Sequence, residues 1–287
     1  MNQFSLKRII LITPLAALLL LMSDRRMDAG QFGPPEAGTP EGKIALGVGY
    51  FRFAGKLNPE NGNLLARRHE LKQNQIYLQA SYGFLKNWET YLRVVASDLK
   101  INNAFPFAEQ RGLSDAFKDG FRPSGALGIK GLVYDSAYFS LGPFFQMNIS
   151  SGYKDKKRFD GNLPACDLNP EGVCLPVVAE RSDELKVKNL WDVNLGIDLQ
   201  TKIYGITLYA GPFAYWTGYK AEYKLKVFNF PPNSTITDQT HYREKNNFGG
   251  FVGLKAPLPW VKGLNVDIEG QFRNKGSVGI SLSYLLW

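Results

Sequence analysis

Few residues in this chain could carry out chemistry. Its 287 residues include two histidines, His69 and His241, and two cysteines, Cys166 and Cys174. Zinc sites usually draw three or four protein ligands from His, Cys and carboxylates, so a metal enzyme is not expected. A nucleophilic hydroxyl needs a base within hydrogen-bond reach. His69 is followed by Glu70 and His241 by Tyr242, so neither stands beside a serine. Nucleophile elbows and phosphate-binding glycine loops are absent, and Gly47-x-Gly49 falls inside a strand pattern. Both histidines therefore read as solvated loop or rim residues, and no cofactor is expected. Cys166 and Cys174 flank Pro170 and Gly172. In an exported chain that spacing predicts a loop disulfide, worth about 2–3 kcal/mol in the chain-entropy picture.

The remaining ionisable groups are distributed by phase. Glu89, Arg93, Lys130, Asp192, Asp198, Lys255, Asp267, Glu269 and Arg273 fall on the polar face of segments whose other face is apolar. Such alternation is the period of a strand with two different sides. Trp191, Val193, Leu195, Ile197 and Leu199 alternate with Asp192, Asn194, Gly196, Asp198 and Gln200. Leu264, Val266 and Ile268 alternate likewise with Asn265, Asp267 and Glu269. Ten segments of this kind follow Lys43, near 43–51, 75–84, 88–98, 124–134, 139–148, 191–200, 204–218, 241–256, 264–273 and 277–286. Pro143 and Pro212 fall within two of them, where a local bulge is expected because each removes a ladder donor.

Composition agrees. Hydrophobic residues make up 44% and charged residues 21%, which excludes a disordered chain. A polytopic helical membrane protein would need several apolar runs of about 20 residues. One run approaches that length, Ile9 to Ser23, preceded by Lys7 and Arg8. It fits the core of an export signal, expected over residues 1–29. Removing that stretch takes away Lys7, Arg8, Arg25, Arg26, Asp24 and Asp28, so the net charge falls from +8 to +6. Residues 30–42 are rich in Gly and Pro and read as a flexible periplasmic lead-in.

Connections alternate between short and long. Short ones lie at 85–87, 135–136, 202–205 and 257–263, and long polar ones at 55–74, 98–123, 150–185 and 219–240; the connection after the ninth strand, 274–277, is short as well. Short turns at one end and long loops at the other are the asymmetry of transmembrane barrels. Together with the export segment and the terminal Trp287, these features resemble bacterial outer-membrane β-barrel proteins over residues 43–287. The resemblance implies an all-β fold: a transmembrane antiparallel β-barrel of about ten strands, with short periplasmic turns, long extracellular loops and both termini on the periplasmic side. It also implies an outer-membrane location, surrounding outer-membrane lipids and a barrel-assembly machinery as partner during biogenesis. Trp287 departs from the pattern, lying one step out of phase with Val278, Ile280, Leu282, Tyr284 and Leu286.

Within such a barrel the nine charged residues would line the lumen, as a hydrated ion-pair network or as the wall of a narrow channel. The expected protein is non-enzymatic, porin-like for ions or very small solutes. The alternative is a structural or adhesive barrel acting through its loops. Ten-stranded omptin proteases are similar in size, but they use an Asp pair and an Asp–His pair at the rim. Here Asp238 stands three residues before His241, not two, and no Asp-x-Asp matches opposite. Lys154, Lys156, Lys157 and Arg158, with Lys220 and Lys224, cluster just beyond two strands. They read as a solvated surface or as contacts to lipopolysaccharide phosphates. Nucleic acid is not an expected partner of an exported barrel.

Overall fold

Strand pairing closes the chain into a ring. The computed structural model describes residues 32–36, 38–60, 68–105, 115–159, 162–164, 176–178, 181–227 and 234–286. Among them, ten antiparallel strands form the wall: β1 (Ile44–Pro59), β2 (His69–Leu85), β3 (Trp88–Asn102), β4 (Phe117–Gly131), β5 (Ser140–Ser150), β6 (Arg181–Ile203), β7 (Ile206–Val227), β8 (Phe248–Pro257), β9 (Leu264–Phe272) and β10 (Gly276–Leu285). Each pairs with its neighbours in sequence, and β10 pairs back onto β1, with Val48 opposite Leu282. Closure leaves no sheet edge, the condition for backbone to cross lipid. Two strands are continued upwards after a break. Tyr153–Phe159 extends β5 along β6, and Ser234–Arg243 extends β8 along β7.

The outer wall carries an apolar belt. Leu46, Val48, Leu78, Val94, Leu127, Leu195, Ile197, Val252 and Ile280 all point outward and are exposed, with Val94 67% and Leu78 64% accessible. The belt occupies about ten residues of each strand, the length a tilted strand needs to cross a bilayer. Below it two connections are tight two-residue turns, Lys86–Asn87 and Tyr204–Gly205, whereas the short turn at Asn274–Lys275 lies at the upper end, where Lys275 pairs with Glu70. Tyr204 and Gly205 both have positive φ (52° and 82°), as the primed turn of a two-residue hairpin requires. Leu286 donates its N–H to Ile44 O, so both ends of the ring lie at this same mouth.

Several strands are longer than the alternation implied, and the residues expected to be long loops are partly wall. β7 runs to Val227, and β2 begins at His69. Above the belt the polarity of the two faces reverses. On β7, Tyr219, Ala221, Tyr223 and Leu225 are buried inside while Lys220, Glu222, Lys224 and Lys226 face out. On β1, Phe51, Phe53 and Leu57 turn inward and Arg52 and Lys56 outward. Lipid demands apolar-out and water demands polar-out, so one strand that passes from lipid to water must exchange its two patterns.

The bulge lies elsewhere than at the prolines. Register is constant past Pro143, which pairs with Ile197, and past Pro212, which pairs with Gly250. A proline removes a donor without inserting a residue, so pairing thins there but does not slip. The slip falls between Lys188 and Trp191 on β6, where Asn189 has a positive φ of 53°. It shifts the outward positions of β6 from even to odd numbers, bringing Leu195 and Ile197 onto the lipid face.

Candidate functional site

Among the described residues, side chains fill much of the interior at each height and leave small cavities between them. All nine charged positions on the polar faces point into the lumen, and they separate into two levels. In the lower level Lys130 pairs with Glu89 at 3.4 Å, and Tyr209 donates to Asp267 at 2.5 Å and to Glu269 at 3.1 Å. Arg93 donates to Gln79 and Gln146 while its guanidinium lies 4.7 Å from the ring centres of both Tyr77 and Tyr91. Tyr91 and Tyr209 lie flat against the wall because Gly128 and Gly253 face them, where a Cβ would approach the rings within 2.3 and 2.2 Å. Lys255 points at Gly38. Asp198 is buried, and among the described residues neither of its carboxylate oxygens has a hydrogen-bond partner. In the upper level Arg273 pairs with Asp192 at 2.8 Å and donates to Asn194 at 2.6 Å, enclosed by Phe53, Phe213 and Tyr215.

The segment expected to be a flexible lead-in fills the lower lumen. Residues 32–41 fold back from β1 into the barrel. Glu269 accepts the N–H of Phe32 at 2.9 Å and of Gly33 at 2.7 Å. Glu89 accepts Thr39 N–H at 3.0 Å, and Gln200 accepts Glu36 N–H at 3.3 Å. Lys130 donates to Phe32 O. The Phe32 ring packs on Phe144, Phe213 and Phe251 with centroids 4.2–5.3 Å apart. Gly and Pro content suggested flexibility. Here the same residues let backbone N–H groups face the wall carboxylates without secondary structure of their own.

Above the belt the interior is built around an apolar cluster. Leu57, Leu71, Leu99, Ile101, Phe105, Phe117, Tyr153, Val187 and Leu225 form one buried cluster. The largest of the three mapped cavities is about 70 Å³ and lies between the lead-in segment and the wall near Lys255 and Asp267. The others are about 30 and 20 Å³, each room for no more than a few waters.

The two histidines do not share a surface. His69 is buried in the upper interior rather than solvated. It stacks on Tyr242 at 4.3 Å, and its Nδ1 shares a 2.5 Å hydrogen bond with Tyr219 Oη. Burial lowers its pKa from 6.5 to about 4. His241 is exposed on the outer face, opposite Lys220. Asp238, three positions from it, turns inward to line a small cavity with His69 and Tyr242. An odd spacing on a strand places two residues on opposite faces.

The basic cluster is real on the outside but not as the sequence grouped it. Lys154, Lys156 and Arg158 face outward on the β5 extension, and Lys220 and Lys224 on β7. Lys157 does not join them. It has inward phase, with Nζ 3.5 Å from Asp155 and 5.9 Å from the Phe105 ring. The loop reading hid Lys186 and Lys188, which with Lys226 continue the outer face beside Glu184 and Glu222. Glu184 bridges Lys154 at 3.4 Å and Lys186 at 3.1 Å; Glu222 bridges Lys188 at 2.6 Å and Lys224 at 3.2 Å. The hydrogen bond from Lys188, with that from Lys224, lowers the Glu222 pKa to about 2. Cys166, Cys174, the export segment and Trp287 lie outside the described residues.

No protein-family model matches the chain, and no curated protein matches it. Solved structures resemble it only at low similarity. The translocator domain of the autotransporter NalP from Neisseria meningitidis is 10% identical, with 97% of each chain covered and a TM-score of 0.38. The outer membrane protease OmpT from Escherichia coli is also 10% identical, over 85% of this chain and 95% of its own, with a TM-score of 0.40. The Pseudomonas putida toluene transporter TodX is 9% identical, over 90% and 95%, with a TM-score of 0.34. The chain's own geometry is the firmer ground: a closed antiparallel ring, an outward apolar belt and tight turns at one end make this an outer-membrane type of β-barrel.

Proposed function

We propose that this protein is a non-enzymatic barrel of the bacterial outer membrane that acts through the wall standing above the lipid. The observation that carries this reading is the filling of the interior at every level. The lead-in segment occupies the bottom, the Arg273–Asp192 network the middle and the apolar cluster the top. A conducting path needs a continuous wetted passage, and side chains occupying the interior at three successive heights argue against one. The strands rise well past the belt, so the exposed upper wall is built of paired strands. Refolded full-length protein in a planar bilayer should give no steady conductance above the lipid baseline. Unitary steps of fixed size from the intact protein would overturn the reading.

The narrow porin-like channel is the second reading. The 70 Å³ cavity with charged lining beside the lead-in segment favours it. It requires that segment to leave. Deleting residues 32–41 separates the two. A sealed upper interior keeps the deletion variant silent, whereas a plugged porin begins to conduct.

A further inference from the structure

We propose that the outward face shared by the β5 extension, β6, β7 and the β8 extension docks the phosphates of lipopolysaccharide in the outer leaflet. The face presents nine bases and two acids above the belt, and one of the bases, Arg243, is paired with Glu60 at 2.8 Å. Further round the ring, β2 and β3 place Lys72 and Lys100 against Glu70 and Asp98 at similar height, and β1, which adjoins the β8 extension, adds Arg52 and Lys56. Positive charge is therefore concentrated on one side, whereas a wall made polar only to meet water would carry it all round.

The arrangement suits a layer of phosphates. Glu184 and Glu222 each hold two lysines from different strands, so Lys154 with Lys186 and Lys188 with Lys224 are spaced in advance. Less side-chain freedom is then lost when an anion arrives. Two shared carboxylates leave most of the positive charge uncompensated, and clustered Lys and Arg pair with phosphate oxygens. The face is also continuous with the lipid contact. Trp216, 40% exposed, lies four residues below Lys220 on the same side of β7. Tryptophan favours the membrane–water interface, so the first lysines stand at headgroup height and the rest in the phosphorylated sugar layer above. A soluble polyanion would have no reason to sit against the belt.

This inference rests on the proposed orientation of the upper wall in the membrane and not on whether the barrel conducts, so the bilayer result leaves it untouched. The test uses full-length refolded protein in phosphatidylcholine vesicles doped with bisphosphorylated lipid A, with dephosphorylated lipid A or with phosphatidylglycerol. The bisphosphorylated form should bind at least about tenfold more tightly than either other lipid, given the worth of each base at an anionic surface. The quadruple variant K186Q/K188Q/K220Q/K224Q should lose that preference. The matching arginine variant should keep it, and K72Q/K100Q across the barrel should leave it unchanged. Heat-modifiable gel mobility identifies folded protein in each case. Equal binding of phosphatidylglycerol, or a preference that survives in the folded glutamine variant, would overturn the proposal.

Discussion

Acid should weaken the upper barrel through His69, by an amount set by its burial. The imidazole is 3% exposed and stacked on Tyr242, and its pKa is lowered from 6.5 to about 4. Between those values the unfolded chain binds a proton that the folded chain does not. Stability is therefore complete above about pH 6.5 and falls as the pH drops towards 4. One pKa unit is about 1.4 kcal/mol, so the full loss is about 3 kcal/mol, of which about 1.4 kcal/mol has gone by pH 5.5. Other carboxylates titrate in the same range, so the informative quantity is a difference between two proteins. His69→Phe keeps the stack and removes the titrating group. Urea unfolding of both proteins in detergent micelles, followed by tryptophan fluorescence from pH 7.5 to 4.5, should show the wild type losing stability faster by that amount. Parallel curves within about 0.5 kcal/mol would refute the reasoning, as would an NMR titration of the His69 ring centred near 6.5.

Other outcomes follow from single positions. Ile197→Arg, on the lipid face at 51% exposure, should destabilise the refolded barrel by about 2–4 kcal/mol in a denaturant titration. Asp198→Asn should cost less than about 1 kcal/mol or stabilise, because it removes a buried carboxylate with no hydrogen-bond partner among the described residues; a larger loss would mean that the carboxylate has a partner in the membrane. Cys166 and Cys174 should resist alkylation in denatured, unreduced protein. The pairing of Pro164 with Pro176 brackets them symmetrically, two residues inside each end, and labelling of both thiols would show them free. The protein should also fractionate with outer membranes and migrate faster unheated than boiled; recovery in the soluble periplasm would end the barrel reading.

The wall was legible in the sequence because lipid imposes a strict period. Leu92 and Val94 against Tyr91 and Arg93 can be read without a structure, and they lie as the alternation requires. Strand number and the side of the short turns followed from the same signal. What escaped was the exchange of faces above the belt. Tyr219-Lys220-Ala221-Glu222-Tyr223-Lys224 alternates as well as any membrane segment, but its charged side faces out. A search for apolar residues in the lipid phase therefore takes it for a polar loop. Lys157 was grouped with its neighbours by proximity in sequence, whereas phase assigns it to the other face. The lumen course of residues 32–41 left no periodic trace, because its bonds are made by backbone N–H groups to Glu89, Gln200 and Glu269 far along the chain. His69 was placed at a wet rim because nothing local in its sequence encodes the aromatic rings it meets from β7 and the β8 extension.

The inward course of residues 32–41 also orders events during biogenesis. The ring is sealed where β1 meets β10, and these are the first and last strands of the chain. The segment leads directly into β1 and lies on the inner side of that seam. It must therefore be in place before the last strand docks, or else thread afterwards through a mouth only a few side chains wide. Pairing Phe32 and Gly33 with Glu269 on β9, next to the closing strand, gives the late C-terminal hairpin something to close upon. Cargo fused ahead of Phe32 would be enclosed or would hold the seam apart, whereas an insertion between the tops of the strands lies outside the ring altogether. The segment ahead of β1 is thus a part around which the barrel is finished.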